Sequence, residues 1–151
     1  TDGTIFSTLE TMQDLRSCTV RWIDDPWLRQ VLWEFVQKAI ARGLDVDVQC
    51  EAEIQLVEYN SQHGDHYGWH HDVQWNGSSG LDRKLSLTVQ LSGPDEYVGG
   101  EFEFEELSTN ADFQQIGTVL LFPSYLRHRI RPVTKGTRYA LVAWFFGRQW
   151  R

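Results

Sequence analysis

Apolar residues first fall into regular order after Asp25: Trp27, Leu28, Val31, Leu32, Phe35, Val36, Ala39 and Ile40 recur at helical spacing until Gly43. A period of 3.6 gathers such positions on one face. Asp25 can cap the exposed first-turn amides, and Pro26 suits the first helical position, where its missing N–H costs nothing. The spacing predicts one amphipathic helix, a helical support over about 24–43. Trp27, Trp33 and Phe35 are expected chiefly between helix and sheet, Trp33 lying off the stripe where it could touch a partner. The first twenty or so residues show no sustained period and predict an irregular or short-strand lead-in.

Beyond the helix the period changes to two. Segments 51–59, 67–73, 83–91, 101–106, 117–122, 128–133 and 137–146 read as strands, separated by clusters of Gly, Asn, Ser and Pro. The turn chemistry agrees at Asn76-Gly77-Ser78-Ser79-Gly80, Ser92-Gly93-Pro94-Asp95, Gly99-Gly100 and Thr134-Lys135-Gly136. Seven strands without intervening helices do not build a parallel sheet, so the pattern predicts a mainly β fold. A double-sheet jelly roll or related β-sandwich, core about 51–147, would be braced by the N-terminal helix.

Composition narrows the class. At 151 residues, 41% hydrophobic and 23% charged, the chain is expected to form a single globular domain over 1–151. Its longest apolar run, 139–146, is far short of the about 20 residues that cross a bilayer, so no membrane partner is expected. Fourteen Lys and Arg against 21 Asp and Glu leave a net charge of −7, which disfavours nucleic acid. Cys18 and Cys50 show no metal spacing and favour a reducing compartment, hence cytoplasmic residence. The sequence opens on Thr1 rather than methionine, so a targeting segment ahead of it stays open.

Four of the five histidines lie between His63 and His71. In a strand, residues i and i+2 share a face, so His70 and Asp72 can point together while His71 points away and is expected to be structural. His128 opens a later strand that a jelly roll can return to the same mouth. Two imidazoles and one carboxylate on one face bind a divalent metal and leave the opposite positions open. His63 and His66, in a Gly-containing loop, are expected in solvent or on the substrate side.

Ten residues past His128 stands Arg138, on one strand face with Ala140, Val142, Trp144 and Phe146. If that face is interior, the guanidinium needs an anion, and a ligand carboxylate is a candidate; otherwise Arg138 caps the 134–136 turn in solvent. In 83–91, Ser86, Thr88 and Gln90 oppose Leu85, Leu87, Val89 and Leu91. The pattern alone favours solvent on the polar side, the alternative being the floor of a polar cavity. Loop 74–82 has the composition of a lid, with Trp75 as an anchor. Glu101, Glu103 and Glu105 read as a solvated acidic face, and Arg127, Arg129 and Arg131 as charge balance.

Together His70-x-Asp72, the distant His128 and Arg138 ten residues later resemble the signature of the Fe(II)- and 2-oxoglutarate-dependent dioxygenases. Tyr67 three residues before His70, the segment 83–97 leading into Gly99-Gly100-Glu101, and Pro123-Ser124 upstream of His128 resemble the prolyl 4-hydroxylase-like branch. The likeness runs from about Ile54 to Gly147.

The resemblance implies a double-stranded β-helix in which His70, Asp72 and His128 hold Fe(II). It implies that 2-oxoglutarate and O2 are co-substrates, that Arg138 clamps the far carboxylate, and that Tyr67, Ser86 and Trp144 lie about the co-substrate. It further implies oxidative decarboxylation of 2-oxoglutarate coupled to C–H hydroxylation, with ascorbate as a reductant. The expected substrate is a peptidyl proline or similar protein side chain. Alternatives are a free amino acid or other small molecule, or a non-catalytic jelly-roll binding module. Many prolyl 4-hydroxylases carry lysine at the place of Arg138, and the stretch between Tyr59 and Tyr67 is longer than the family pattern. Asp72 argues against a halogenase, which needs that coordination position free.

Overall fold

The structure, a computed structural model, describes residues 15–75, 79–108 and 112–150. Most of the lead-in, and Asn76, Gly77 and Ser78 of the expected lid, lie outside the described residues.

Among the described residues ten strands form two sheets. They are β1 (Arg16–Ser17), β2 (Thr19–Ile23), β3 (Ala52–Asn60), β4 (His66–His70), β5 (Leu81–Gln90), β6 (Tyr97–Gly99), β7 (Phe102–Phe104), β8 (Val119–Pro123), β9 (His128–Ile130) and β10 (Val133–Arg148). The larger sheet runs β2-β3-β10-β5-β8, with β6 paired to the start of β10; the smaller runs β1-β4-β9-β7. Every pairing is antiparallel. This is the mainly β, helix-braced jelly roll that the alternation predicts. Among the described residues no helix is long and apolar enough to cross a membrane.

Helix α1 (Pro26–Ala41) begins as its sequence dictates, with Asp25 Oδ1 accepting the Leu28 amide at 3.0 Å and Pro26 in the first turn. Its buried residues Leu32 and Val36 join Ile54, Leu85, Leu87, Leu141, Ala143 and Phe145 on the outer face of the larger sheet. Burying a side chain such as Leu85 or Phe145 contributes about 1.5–3 kcal/mol. The expected roles of the aromatics are partly exchanged. Trp33 packs on Phe145, ring centroids 5.6 Å apart, whereas Trp27 is 73% exposed and Phe35 39%. Trp33 lies where the helix meets the sheet; the Trp27 and Phe35 positions turn toward solvent.

Strand β10 is the spine, pairing with β3 on one edge and β5 on the other. Its odd positions Leu141, Ala143 and Phe145 face the helix-side core. Its even positions Arg138, Ala140, Val142 and Trp144 line a cleft between the sheets. Phe146 falls beyond a register shift and outside that lining.

Several boundaries differ from those the pattern predicts. Strand β4 stops at His70, leaving Asp72 in the loop that follows, and Pro132 separates β9 from a spine that starts at Val133. Strand β6 was not expected. It is short and its pairing to β10 requires the left-handed Gly99 (φ 82°) and Gly100 (φ 63°) beside it.

Candidate metal and co-substrate site

The register of β4 and β9 makes His70 and His128 direct cross-strand partners. Between Tyr67 and His70 the pairing shifts by a residue. In an unbroken strand, residues three apart face opposite ways; this bulge brings both rings to the cleft, where they stack 3.5 Å apart. Asp72 reaches the same point by another route: its amide donates to Ser124 O at 2.9 Å, which folds the loop after β4 back across β8.

His70, Asp72 and His128 each offer a ligand atom, all within 4.8 Å of one another. His70 Nδ1 lies 2.7 Å from Gly68 O, and His128 Nδ1 lies 2.9 Å from Leu126 O. A carbonyl can only accept, so each Nδ1 carries a proton, and in the neutral ring Nε2 is then the lone-pair nitrogen. Both Nε2 atoms approach Asp72 Oδ1, at 3.4 and 3.6 Å. With both rings in their neutral tautomers, two imidazole nitrogens and a carboxylate oxygen converge as lone-pair donors, a set that fits a divalent cation, and backbone-anchored imidazoles are the arrangement that orients metal ligands. Burial would raise the Asp72 carboxyl, but the two imidazoles and the Ser86 hydroxyl outweigh it and hold the group well below the usual carboxylate range. Burial lowers the His128 imidazole despite the Asp72 charge, which favours its neutral form.

Ser86, expected about the co-substrate, donates its hydroxyl to Asp72 Oδ2 at 2.6 Å and lies 3.0 Å from Ser124 Oγ. The adjacent register position on the same face, Thr88, lines the cleft. The polar side of β5 is therefore not solvated: Ser86 and Gln90 are buried, and this side is a cavity floor. The outward expectation fails because the second sheet covers that face.

The cleft runs from the three-residue cluster to Arg138. The guanidinium is 4% exposed, and its Nε donates to Gln90 Oε1 at 3.1 Å. Among the described residues no carboxylate pairs with it. Arg138 is thus a buried cation and not a solvent-facing turn cap. Tyr59 sits opposite it across β3, 5.6 Å from ring centre to guanidinium carbon. Burial pushes the Tyr59 and Tyr67 phenols upward against the pull of Arg16, so both stay protonated.

Trp144 lines the cleft, and among the described residues its buried indole Nε1 has no hydrogen-bond partner. The Arg83 guanidinium lies 3.9 Å above its ring and pairs with Glu53 at 2.8 Å. His71 is exposed and meets Trp75 edge-on. His63 is exposed, His66 anchors to Gly64 O, and neither belongs to the metal cluster. The acidic and basic strips face each other: Glu103 takes Arg129 and Arg131, and Glu105 takes Arg127.

Sequence reasoning missed Arg16, Gln55 and Tyr59. Arg16 lines the cleft, its guanidinium 4.5 Å over Tyr67 and 3.4 Å from Gln55 Oε1, with Nε at Cys18. Period two along β3 could have found Gln55 and Tyr59, which alternate on one face. No local signal marks Arg16, which lies in a two-residue strand.

A sequence profile described as the 2OG-Fe(II) oxygenase superfamily matches residues 54–146. A PKHD-type hydroxylase of Hyphomonas neptunium is 40% identical over 128 residues, covering 78% of this chain and 53% of that protein. Another, of Idiomarina loihiensis, is 36% identical over 117 residues, covering 76% and 51%. The chain therefore spans about half the length of these curated relatives. In fold it is similar to a Pseudomonas putida prolyl-4-hydroxylase, TM-score 0.67, 19% identity, 91% of this chain and 75% of that one. It is likewise similar to a Trichoplax adhaerens prolyl hydroxylase in complex with a hypoxia inducible factor peptide fragment, TM-score 0.63, 21% identity, 88% and 64%.

Proposed function

This chain belongs to the 2OG-Fe(II) oxygenase superfamily, and from that premise we propose that it is a hydroxylase acting on a peptidyl proline or similar protein side chain. One observation carries the reading: the converging donor atoms of His70, Asp72 and His128 face a cleft that also holds the Arg138 guanidinium, which no carboxylate among the described residues pairs with. His70, Asp72 and His128 would hold Fe(II), and Arg138 would take the distal carboxylate of 2-oxoglutarate, bidentately if its terminal nitrogens meet both oxygens. Bound there, the iron supplies the oxidative chemistry in which 2-oxoglutarate and O2 give succinate and CO2, one oxygen atom going to a C–H bond.

The protein's own part is to orient and shield. Ser86 fixes Asp72 so that Oδ1 faces the histidines. Tyr67 stacks on His70, and the phenyl rings of Phe102 and Phe122 wall His128 at centroid distances of 5.4 and 4.9 Å. These apolar walls limit water at the site. The peptide reading is supported by the name of the Pseudomonas putida neighbour and the bound peptide fragment of the Trichoplax one.

Arg16 favours a second reading. It is a cation in the cleft, and no carboxylate among the described residues pairs with it. A free amino acid or other small carboxylate would supply that charge. The test offers the Fe(II)-loaded protein 2-oxoglutarate and O2 with proline-containing peptides or free amino acids, and follows gain of one oxygen atom by mass spectrometry. Hydroxylated peptide supports the first reading, and a hydroxylated free amino acid supports the second. Succinate formation without either product contradicts both substrate assignments.

A further inference from the structure

Arg138 borders three spaces. One is the metal-facing cleft; the others are a hollow bounded by Phe113, Thr118 and Leu120 and a more open one beside Tyr97, Gly100 and Glu101. A long side chain among such spaces needs an anchor, and among the described residues its one hydrogen bond is Nε to Gln90 Oε1, at 3.1 Å.

The Gln90 amide is itself held. Its Nε2 donates to Ser92 O at 3.0 Å and to the Tyr97 hydroxyl at 2.8 Å. Because the Ser92 carbonyl can only accept, the NH2 end must face it, and Oε1 is left for the arginine. Ser92 is fixed in turn, its Oγ accepting the Tyr139 amide at 2.7 Å. Gln90 takes the guanidinium by Nε alone, which leaves both terminal nitrogens for a ligand.

Resting on the reading that Arg138 binds the distal carboxylate of the co-substrate, we propose that Gln90 is a positioning residue. It sets where Arg138 presents its terminal nitrogens, and so sets the preference for a 2-oxo dicarboxylate over a 2-oxo monocarboxylate. A neutral amide suits this role: it orients the cation without neutralising it, as a carboxylate at the same place would.

The experiment is calorimetric binding of 2-oxoglutarate and of 2-oxobutyrate to the Fe(II)-loaded protein without O2. The wild-type protein is compared with Gln90→Glu, Gln90→Met and the milder Tyr97→Phe. 2-Oxobutyrate lacks the distal carboxylate, so its binding reports the metal end alone. The expected result is that Gln90→Glu cuts the 2-oxoglutarate preference at least about tenfold, and Gln90→Met severalfold, with 2-oxobutyrate affinity unchanged. Tyr97→Phe shifts it in the same direction by less, and carries the test if a Gln90 variant does not fold.

An unchanged preference in the folded variants, or equal weakening of both ligands, overturns the role of Gln90 while leaving the clamp intact. A wild-type protein that binds both ligands equally overturns the Arg138 clamp itself, and the inference with it.

Discussion

At His70 and His128 the decisive feature is the proton held on Nδ1 by a backbone carbonyl, because in the neutral ring it leaves Nε2 to ligate the proposed metal. Protonating either Nε2 removes a ligand, so divalent-metal affinity should fall as pH falls. Burial holds the His128 imidazole below its ordinary 6.5. Its loss as a ligand is therefore delayed to more acidic solution, and metal titrations across pH check this. Binding that weakened as pH rose from mildly acidic to neutral would contradict the assignment. Ser86 acts one step further out. Removing its hydroxyl frees Asp72 Oδ2, so Ser86→Ala should weaken metal binding by about tenfold to a hundredfold while the fold persists. A metal-competition assay against the wild-type protein reads that change.

At the scale of elements, β10 joins core to site: its odd residues meet the helix and its even residues line the cleft. Phe145 has no exposed surface and touches both the sheet core and Trp33. Phe145→Ala should cost about 3–5 kcal/mol, read as a lower urea midpoint. The alternation of β3, β5 and β10 was legible because each strand is long enough to repeat the period several times. Less legible were β1 and β6, of two and three residues, which repeat nothing. The polar face of β5 was ambiguous because Ser86, Thr88 and Gln90 look alike whether solvent or a second sheet covers them. That His70, Asp72 and His128 come together was legible in the sequence, but not how they do so. A bulge aims His70, and a loop held at Ser124 aims Asp72, neither of which a regular strand provides. Arg16 and Tyr59 reach the site through strand pairing across long sequence separations.

Across the whole molecule, the two sheets divide the labour. The smaller sheet brings the two histidines; the larger brings Arg138 and the polar floor, and the cleft lies between them. The net charge of −7 coexists with two guanidinium groups, Arg16 and Arg138, inside that cleft. A ligand bearing carboxylates is therefore favoured locally by a protein that repels anions at long range. The most direct test of the account is succinate formation from 2-oxoglutarate when the anaerobically Fe(II)-loaded protein is exposed to O2, with His128→Ala beside it. The account predicts succinate from the wild-type protein, slow without substrate, and none above background from the variant. Equal turnover by the two proteins, or none by a wild-type protein that has bound Fe(II), would contradict it.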